Sequence, residues 1–306
     1  MKTIVKHISI NKGMTVNELV NQMSNSGVFG AGRISKAVDI FESMAKDKNC
    51  MVFLGQAGAM VPGGMKNILI DMLKNKYIDV FVTTGATLTH DMAESIGYKH
   101  FRGLSDIDDS KLNKKKIVRI YDSFMPNEVY IGMENFFKEH FDELSKAKTT
   151  KEFLWLVGKL LPNNQSSILK TAYQNKIPIF CPALSDSGIG LMIWGQSLRK
   201  KGLNLNIFDD LNEIINLSWS SKKTGVIYIG GGVPKNYIQQ AMQFSKSADY
   251  AIQISTDIPF FGGSSGADLR EGISWGKLNK NAEYANVICD ATIALPLIYA
   301  ALKERI

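Results

Sequence analysis

Val226-Ile227-Tyr228-Ile229-Gly230-Gly231-Gly232 is a continuous apolar run closed by a glycine triplet. Unbroken apolarity, rather than alternation, marks a strand buried on both faces. The same unit recurs along the chain. Met51–Leu54, Val80–Thr83, Ile177–Phe180, Tyr250–Ile254 and Val287–Cys289 are apolar runs, each followed by a turn, and most turns lead into a helical pattern. This rhythm predicts an α/β fold: a doubly wound, mainly parallel sheet with helices on both faces, Rossmann-like in class. No Pro/Gly/Ser linker, repeat or low-complexity block divides the chain, so residues 1–306 read as one large domain.

Around this frame, Thr15-x-x-Glu18 is a capping box that opens a helix. Gly30-Ala31-Gly32 reads as a turn before a helix at 33–46, with Ile34, Val38, Phe41 and Ala45 on one face. The stretch from Pro126 to Leu161 reads as mostly helical.

Composition narrows the function. Hydrophobic residues at 45% and charged residues at 21% are ordinary for a globular protein. No apolar run is long enough to span a bilayer and no charged-then-apolar leader is present, so a cytoplasmic location is expected and a membrane partner is not. The formal charge of +7 is dispersed, without a basic stripe carrying interleaved aromatics, so no nucleic-acid partner is expected. Cys50, Cys181 and Cys289 are odd in number and far apart, which predicts buried free thiols. His7, His90, His100 and His140 lack metal-ligand spacing, and no metal is expected.

Ligands of doubly wound sheets bind beyond the carboxyl ends of the strands. Several strand ends here carry small residues: Gly55-Gln56-Ala57-Gly58-Ala59, Thr83-Thr84-Gly85-Ala86, Ser185-Asp186-Ser187-Gly188 and Gly230-Gly231-Gly232. Small side chains let backbone N–H groups approach a pyrophosphate, and a helix N-terminus adds a favourable dipole. Glycine at a βα turn is also ordinary, and the triplet is not the G-x-G-x-x-G fingerprint.

Ser274-Trp275-Gly276-Lys277 sets a lysine beside an indole. Apolar surroundings free a lysine amine for Schiff-base chemistry. The alternative is that Gly276 ends a helix begun near Leu269 and Lys277 satisfies its last carbonyls. Glu271 and Trp275, four apart, share a helical face and could wall a pocket for an organic cation, although core packing of Trp275 competes with that reading.

Gly230-Gly231-Gly232-Val233-Pro234-Lys235, Ala248-Asp249-Tyr250-Ala251, Ser265-Gly266-Ala267, Glu271-x-x-Ser274-Trp275-Gly276-Lys277 and Asp290-Ala291 together resemble deoxyhypusine synthase. Ser167-Ile168-Leu169, Ala172-Tyr173, the run from Ile177 to Leu184, Pro126-Asn127 and Phe53-Leu54-Gly55 extend the resemblance over nearly the whole chain. It implies NAD-dependent aminobutyl transfer from spermidine, through an imine on a lysine, to one lysine of the translation factor that becomes hypusinated. Relatives use putrescine as acceptor and make homospermidine.

By this resemblance Lys277 is the covalent nucleophile, with Trp275 and Glu271 lining the amine site. Asp186, Gly231, Thr256, Asp257, Asp290 and Ala291 fall where the family holds NAD. Thr84, Gly85, Ala86, and Gly58 and Ala59 with the turn to Pro62, do likewise, although that turn lacks the family's Ser-Asn pair; Gly230 and Gly232 complete the triplet. The resemblance also implies a homotetramer with sites at a dimer interface.

Departures cluster at the amine site. Asn236 and Tyr237 replace a histidine pair, and asparagine is no proton acceptor near neutral pH. His90 stands for a polyamine-binding glutamate and Leu191 for an aspartate, while Phe261, Gly263 and Ser264 stand for Asp, Ser and Asp. A trication needs carboxylate partners. Glu271 and Asp186 remain, and the acidic run Asp106, Asp108, Asp109 could reach in, although a solvated loop is the competing reading. Asn236, His90, Ser264, Gly263 and Asp186 are therefore the candidate substrate contacts. Three activities fit: transfer to a protein lysine, the same chemistry on a small amine such as putrescine, or non-catalytic binding of NAD or a polyamine.

Overall fold

A computed structural model describes residues 3–199 and 202–306. Its strands, in chain order, are β1 (Cys50–Gln56), β2 (Val80–Thr83), β3 (Phe101–Arg102), β4 (Ile117–Ile120), β5 (Ser123–Pro126), β6 (Ile179–Phe180), β7 (Lys223–Ile229), β8 (Ala248–Ser255) and β9 (Leu278–Ile288). All six apolar runs join one sheet, in the order β6-β2-β1-β7-β8-β9. Counted along the chain, its own strands run 3-2-1-4-5-6, the doubly wound order, and the winding reverses between β1 and β7. The pairs β1/β7, β7/β8 and β8/β9 are parallel, and Gln56 lies opposite Ile229 at the carboxyl ends. This is the expected fold class.

Two details differ from expectation. Strand β9 starts much earlier than Val287, directly after Lys277. Its register slips near the start: Ala248 faces Leu278, but Tyr250 faces Glu283, so a step of two residues on β8 meets a step of five on β9. Gly30-Ala31-Gly32 is no turn; it lies inside the helix Phe29–Lys46. A Cβ at Gly32 would fall 2.5 Å from the backbone of Gly27, so close approach to the end of the preceding helix is what requires glycine there.

The chain forms two compact units. The first comprises Met1–Ala57, Tyr77–Val82 and Asn212–Ile306. Phe53, Leu54, Val226, Ile227, Tyr228, Ile229, Ala251 and Ile252 are buried in its core. The helix Gly232–Gln243 packs on β1, where a Cβ at Gly55 would meet Ile238 at 3.0 Å. The last helix, Ala291–Arg305, is tied to the first two by Arg305, whose guanidinium pairs with Asp39 and Glu42 and donates to Asn17 and Asn21.

The second unit comprises Gly58–Lys76 and Thr83–Leu211. It holds the small antiparallel sheet β3-β5-β4, which the sequence pattern did not reveal. The expected helical stretch is present as Val129–Leu144 and Thr150–Leu160. Among the described residues, no helix is long and apolar enough to cross a membrane.

Within this unit a fully buried carboxylate, Asp91, caps the helix Ile168–Gln174. It accepts from Ser167 Oγ (2.8 Å) and from the N–H groups of Ile168 (2.9 Å) and Leu169 (3.0 Å). Burial raises its pKa against the pull of those donors. Removing the carboxylate would strand three buried donors, each costing roughly 1–3 kcal/mol. Asp91→Ala should therefore lose about 3 kcal/mol or more in urea denaturation, and Asp91→Asn, which keeps one acceptor oxygen, distinctly less. Equal losses would mean that side-chain volume matters there rather than hydrogen bonding.

Candidate active site

The segment before β9 is built to present Lys277. The short helix Glu271–Ser274 ends at Trp275, and Gly276 takes φ +70°. Gly276 N–H donates to Ile273 O (3.1 Å) and Lys277 N–H to Gly272 O (2.8 Å). This is the paired bonding of a Schellman cap. Gly276 and Lys277 thus satisfy one final carbonyl each through their backbone N–H groups. The Lys277 side chain is left for other work, and Nζ sits 5.1 Å from the centroid of the Trp275 indole. Trp275 is 62% exposed, so it is not a core residue. Lys277 is partly buried and Glu271 exposed.

The glycine triplet lies at the end of β7. Gly230 and Gly232 take φ +75° and +61°, and Gly231 is the N-cap of the helix Gly232–Gln243 without a side-chain cap. Gly232 N–H donates to Ser265 Oγ (2.9 Å), and a Cβ at Gly231 would fall 2.5 Å from Ser265 Cα. The triplet and the loop carrying Gly263 and Ser264 are therefore packed together. Lys235, only 1% exposed, fixes that loop by donating to Ser264 O (2.7 Å), Ala267 O (2.9 Å) and Gln253 Oε1 (2.9 Å). Burial pushes its pKa down to about 8; Glu271, Asp268 and Asp257 pull it up and Lys277 pushes it down. Those charges are gathered around one buried ammonium. Asn236, next on the helix, is half-buried.

A cavity opens between the ends of β8 and β9, lined by Ser255, Asp257, Gly266, Asp268 and Asn286 among others. Thr256 and Asp257 are exposed at the end of β8. Asp290 follows β9 and caps the helix begun by Ala291, accepting from Thr292 N–H (2.7 Å) and Thr292 Oγ1 (2.6 Å), which lowers its pKa. Lys277 and Asp290 stand at opposite ends of β9 and do not meet at one strand end. Lys235 and Asp268 were not anticipated as site residues. Both lie within or beside the quoted motifs, but only tertiary packing shows one buried and the other in the cavity wall.

In the second unit two strand-end turns meet. A Cβ at Gly85 would lie 2.4 Å from Ser187 Cβ, which brings Thr84-Gly85-Ala86 against the turn of Asp186 and Ser187. Thr84 caps the helix Gly85–Ser95 and Ser187 caps Gly188–Ser197; Asp186 is exposed. Gly58 takes φ +80° on the surface, with Ala59 half-buried beside it. His90 bonds to His100, its Nδ1 2.9 Å from the partner Nε2. Of the acidic run, Asp108 caps a helix and Asp109 pairs with Arg119, while Asp106 is exposed. Cys50 and Cys181 are buried free thiols pushed up to about 12 by burial, and Cys289 is half-buried.

The deoxyhypusine synthase family matches this chain over residues 18–302. The chain belongs to the deoxyhypusine synthase family. It is 43% identical to the "Probable deoxyhypusine synthase" of Methanosarcina thermophila, covering 100% of this chain and 96% of that protein. It is 44% identical to "Probable deoxyhypusine synthase 1" of Archaeoglobus fulgidus, covering 97% and 96%. A crystal structure from Entamoeba histolytica, provisionally named for the same enzyme, shares the fold with a TM-score of 0.66 at 22% identity, over 97% of this chain and 96% of that one. Membership in the deoxyhypusine synthase family makes this chain a transferase, and the family's reaction is aminobutyl transfer from spermidine.

The cap that aims Lys277 is testable without turnover. A Cβ at position 276 meets nothing within 4 Å, so only the left-handed backbone opposes substitution. Gly276→Ala should cost about 1 kcal/mol in denaturant unfolding, and Gly276→Asn, whose side chain tolerates this region, less. A larger loss with Asn than with Ala would contradict the cap.

Proposed function

We propose that this chain moves the aminobutyl group of spermidine through an imine on Lys277 to a lysine of the hypusine-carrying translation factor. The observation that carries this reading is the division of labour at Lys277: its backbone closes the Schellman cap, while Nζ is held over an indole. An ammonium rests favourably on that face; once deprotonated, the same nitrogen is a nucleophile on the edge of an apolar surface. Nζ would form a new C–N bond to the oxidised carbon as the bond to 1,3-diaminopropane breaks. The retained butylamine unit would then pass to the acceptor amine. Glu271 and Asp268 supply carboxylates for the cationic ends.

The turns also fit a dinucleotide. Gly232 has open space before it, and the helix behind it lacks a side-chain cap of its own. In the first unit Gly230, Gly231, Gly232, Thr256, Asp257, Asp290 and Ala291 would hold NAD; in the second, Gly58, Ala59, Thr84, Gly85, Ala86 and Asp186. When bound, NAD supplies reversible two-electron oxidation of the carbon beside the amine nitrogen. We further propose a homotetramer with sites at a dimer interface, because Trp275, Phe260 and Phe261 are 62%, 86% and 86% exposed and an imine needs cover from water. The unpaired thiols suit a cytoplasmic setting.

A second reading keeps the chemistry and changes the acceptor to a small amine such as putrescine. Leu191, 57% exposed, and Phe261 favour it, since both stand where a polyamine site would offer carboxylates. Non-catalytic binding is disfavoured by membership in a transferase family and by the presentation of Lys277.

Incubation with NAD and either spermidine or putrescine, followed by amine chromatography, tests the reading. NAD-dependent release of 1,3-diaminopropane from spermidine is expected, with borohydride fixing the four-carbon amine on Lys277. Lys277→Ala should lose turnover by about three orders of magnitude or more while still binding NAD. Consumption of putrescine with formation of homospermidine would select the small-amine acceptor. Undiminished turnover by Lys277→Ala would remove the covalent mechanism.

A further inference from the structure

The helix Gly85–Ser95 is buried on every side but one. Only Ala86, His90 and Glu94 reach solvent. Spaced four apart, they form a single line. The line starts at the turn after β2, at the carboxyl end of the sheet, where folds of this type bind ligands. Along it runs a chain of hydrogen bonds. His90 Nδ1 lies 2.9 Å from His100 Nε2, His100 Nδ1 lies 2.8 Å from Glu94 Oε1, and Glu94 Oε2 pairs with Lys66 Nζ. The side chains of His100 and Glu94 are 7% and 17% exposed, and Lys66 12%.

The polarity of this chain follows from its acidic end. Burial works to raise the Glu94 carboxyl, but hydrogen bonds from His100 and Lys66 outweigh it and hold the pKa down to about 2. Glu94 is therefore an anion and accepts from His100 Nδ1–H. With His100 neutral, its Nε2 must accept, so His90 donates through Nδ1–H. That leaves a lone pair on His90 Nε2, the atom not engaged with His100. When the pair takes up one proton, His100 carries both N–H groups beside Glu94, and His90 shifts to the Nε2–H tautomer. The outward nitrogen thus turns from acceptor to donor.

We propose that His90, His100 and Glu94 are a proton relay that takes a proton from the ammonium of the bound amine substrate through His90 Nε2. This rests on the reading of the chain as an amine-handling transferase. The step balances as follows. The R–NH3+ proton goes to His90 Nε2, the His90 Nδ1 proton goes to His100 Nε2, and the nitrogen keeps its electron pair as R–NH2. No electrons change hands. The freed lone pair is what a carbon–nitrogen double bond requires, and Asn236 cannot accept that proton.

Among the described residues, the charges that bear on His90 are those of His100 and Glu94; Lys66 acts through Glu94. On the same helix and the elements packed against it, Asp91 is engaged by Ser167 and Lys170 by Asn163. Burial, and then the charge of His100, push the pKa of His90 down to about 4. A lowered pKa opposes charge resting on His90, which the relay avoids by moving the Nδ1 proton on as Nε2 takes one up.

Two experiments decide the matter. In the donor half-reaction with NAD and spermidine, kcat should fall as pH drops through the titration of the relay, since a protonated relay cannot accept. His90→Gln should lower kcat by about 100-fold or more, change KM far less, and abolish that acid limb. Glu94→Gln should move the limb to lower pH, because the relay loses the anion at its end. Retention of the limb, with kcat within about threefold, in His90→Gln would overturn the relay. The second experiment alters no relay residue: 15N-histidine NMR of full-length Lys277→Ala at pH 8.5. His90 should carry its proton on Nδ1, and spermidine or putrescine should shift its Nε2 resonance. The opposite tautomer, or no response to either amine, also overturns it. A wild-type protein that turns over neither amine but shows the predicted tautomer and response sinks the transferase reading alone. Turnover without the response sinks the relay alone.

Discussion

A lysine ammonium without water must find acceptors inside the protein, and Lys235 finds three: Gln253 Oε1 on β8 and the backbone carbonyls of Ser264 and Ala267. An unpaired buried charge would cost several kcal/mol, so the loop cannot leave while the lysine stays. Gln253 extends the constraint, since its Nε2 donates to Ser265 O at 2.6 Å. The loop is thereby pinned against the glycine triplet at one end. Its continuation through Glu271 to Gly276 leads into Lys277, whose carbonyl accepts from Ala248 N–H at the start of β8. One buried ammonium and one buried amide thus connect the strand ends, the triplet and the segment that presents Lys277. With all three donors committed, Lys235 is an anchor rather than a second nucleophile.

The frame of the molecule was legible because buried parallel strands are written as continuous apolar runs, and all six such runs are strands of the large sheet. The small sheet was not, because its strands are short and half-exposed: Phe101 is 58% exposed, and Ile117–Ile120 is only partly buried throughout. The early start of β9 was hidden for a similar reason, since Asn279, Lys280 and Asn281 interrupt its apolar pattern. Gly230 and Gly232 take positive φ, whereas the turn read at Gly30–Gly32 is a helix in which contact with Gly27 decides. Sequence marks that a side chain is missing; only the partner tells whether rotation or proximity is the reason.

Site residues divide along the same line. The Ser274–Lys277 motif is local, and its cap lies within residues 272–277, so it could be read. The burial of Lys235, the place of Asp268 in the cavity wall and the pairing of His90 with His100 depend on loops closing over the sheet or on a turn folding back along a helix. None of these leaves a periodic trace in the sequence.

The charges around Lys277 constrain what the protein can hold. Glu271, Asp268 and Asp257 raise the pKa of Lys235, and Lys277 lowers it. Few carboxylates are gathered there, whereas spermidine brings three ammonium groups. The remaining positive charge must be met by further acceptors, shed as protons, or avoided by taking a shorter amine. In the second unit, the proposed role of His90 has its own consequence. A neutral imidazole accepts a hydrogen bond from an amine without stabilising its cation, so it favours the deprotonated form that a carboxylate would disfavour. On the proposed reading, an imidazole at this place prepares an amine nitrogen for reaction rather than holding its cation.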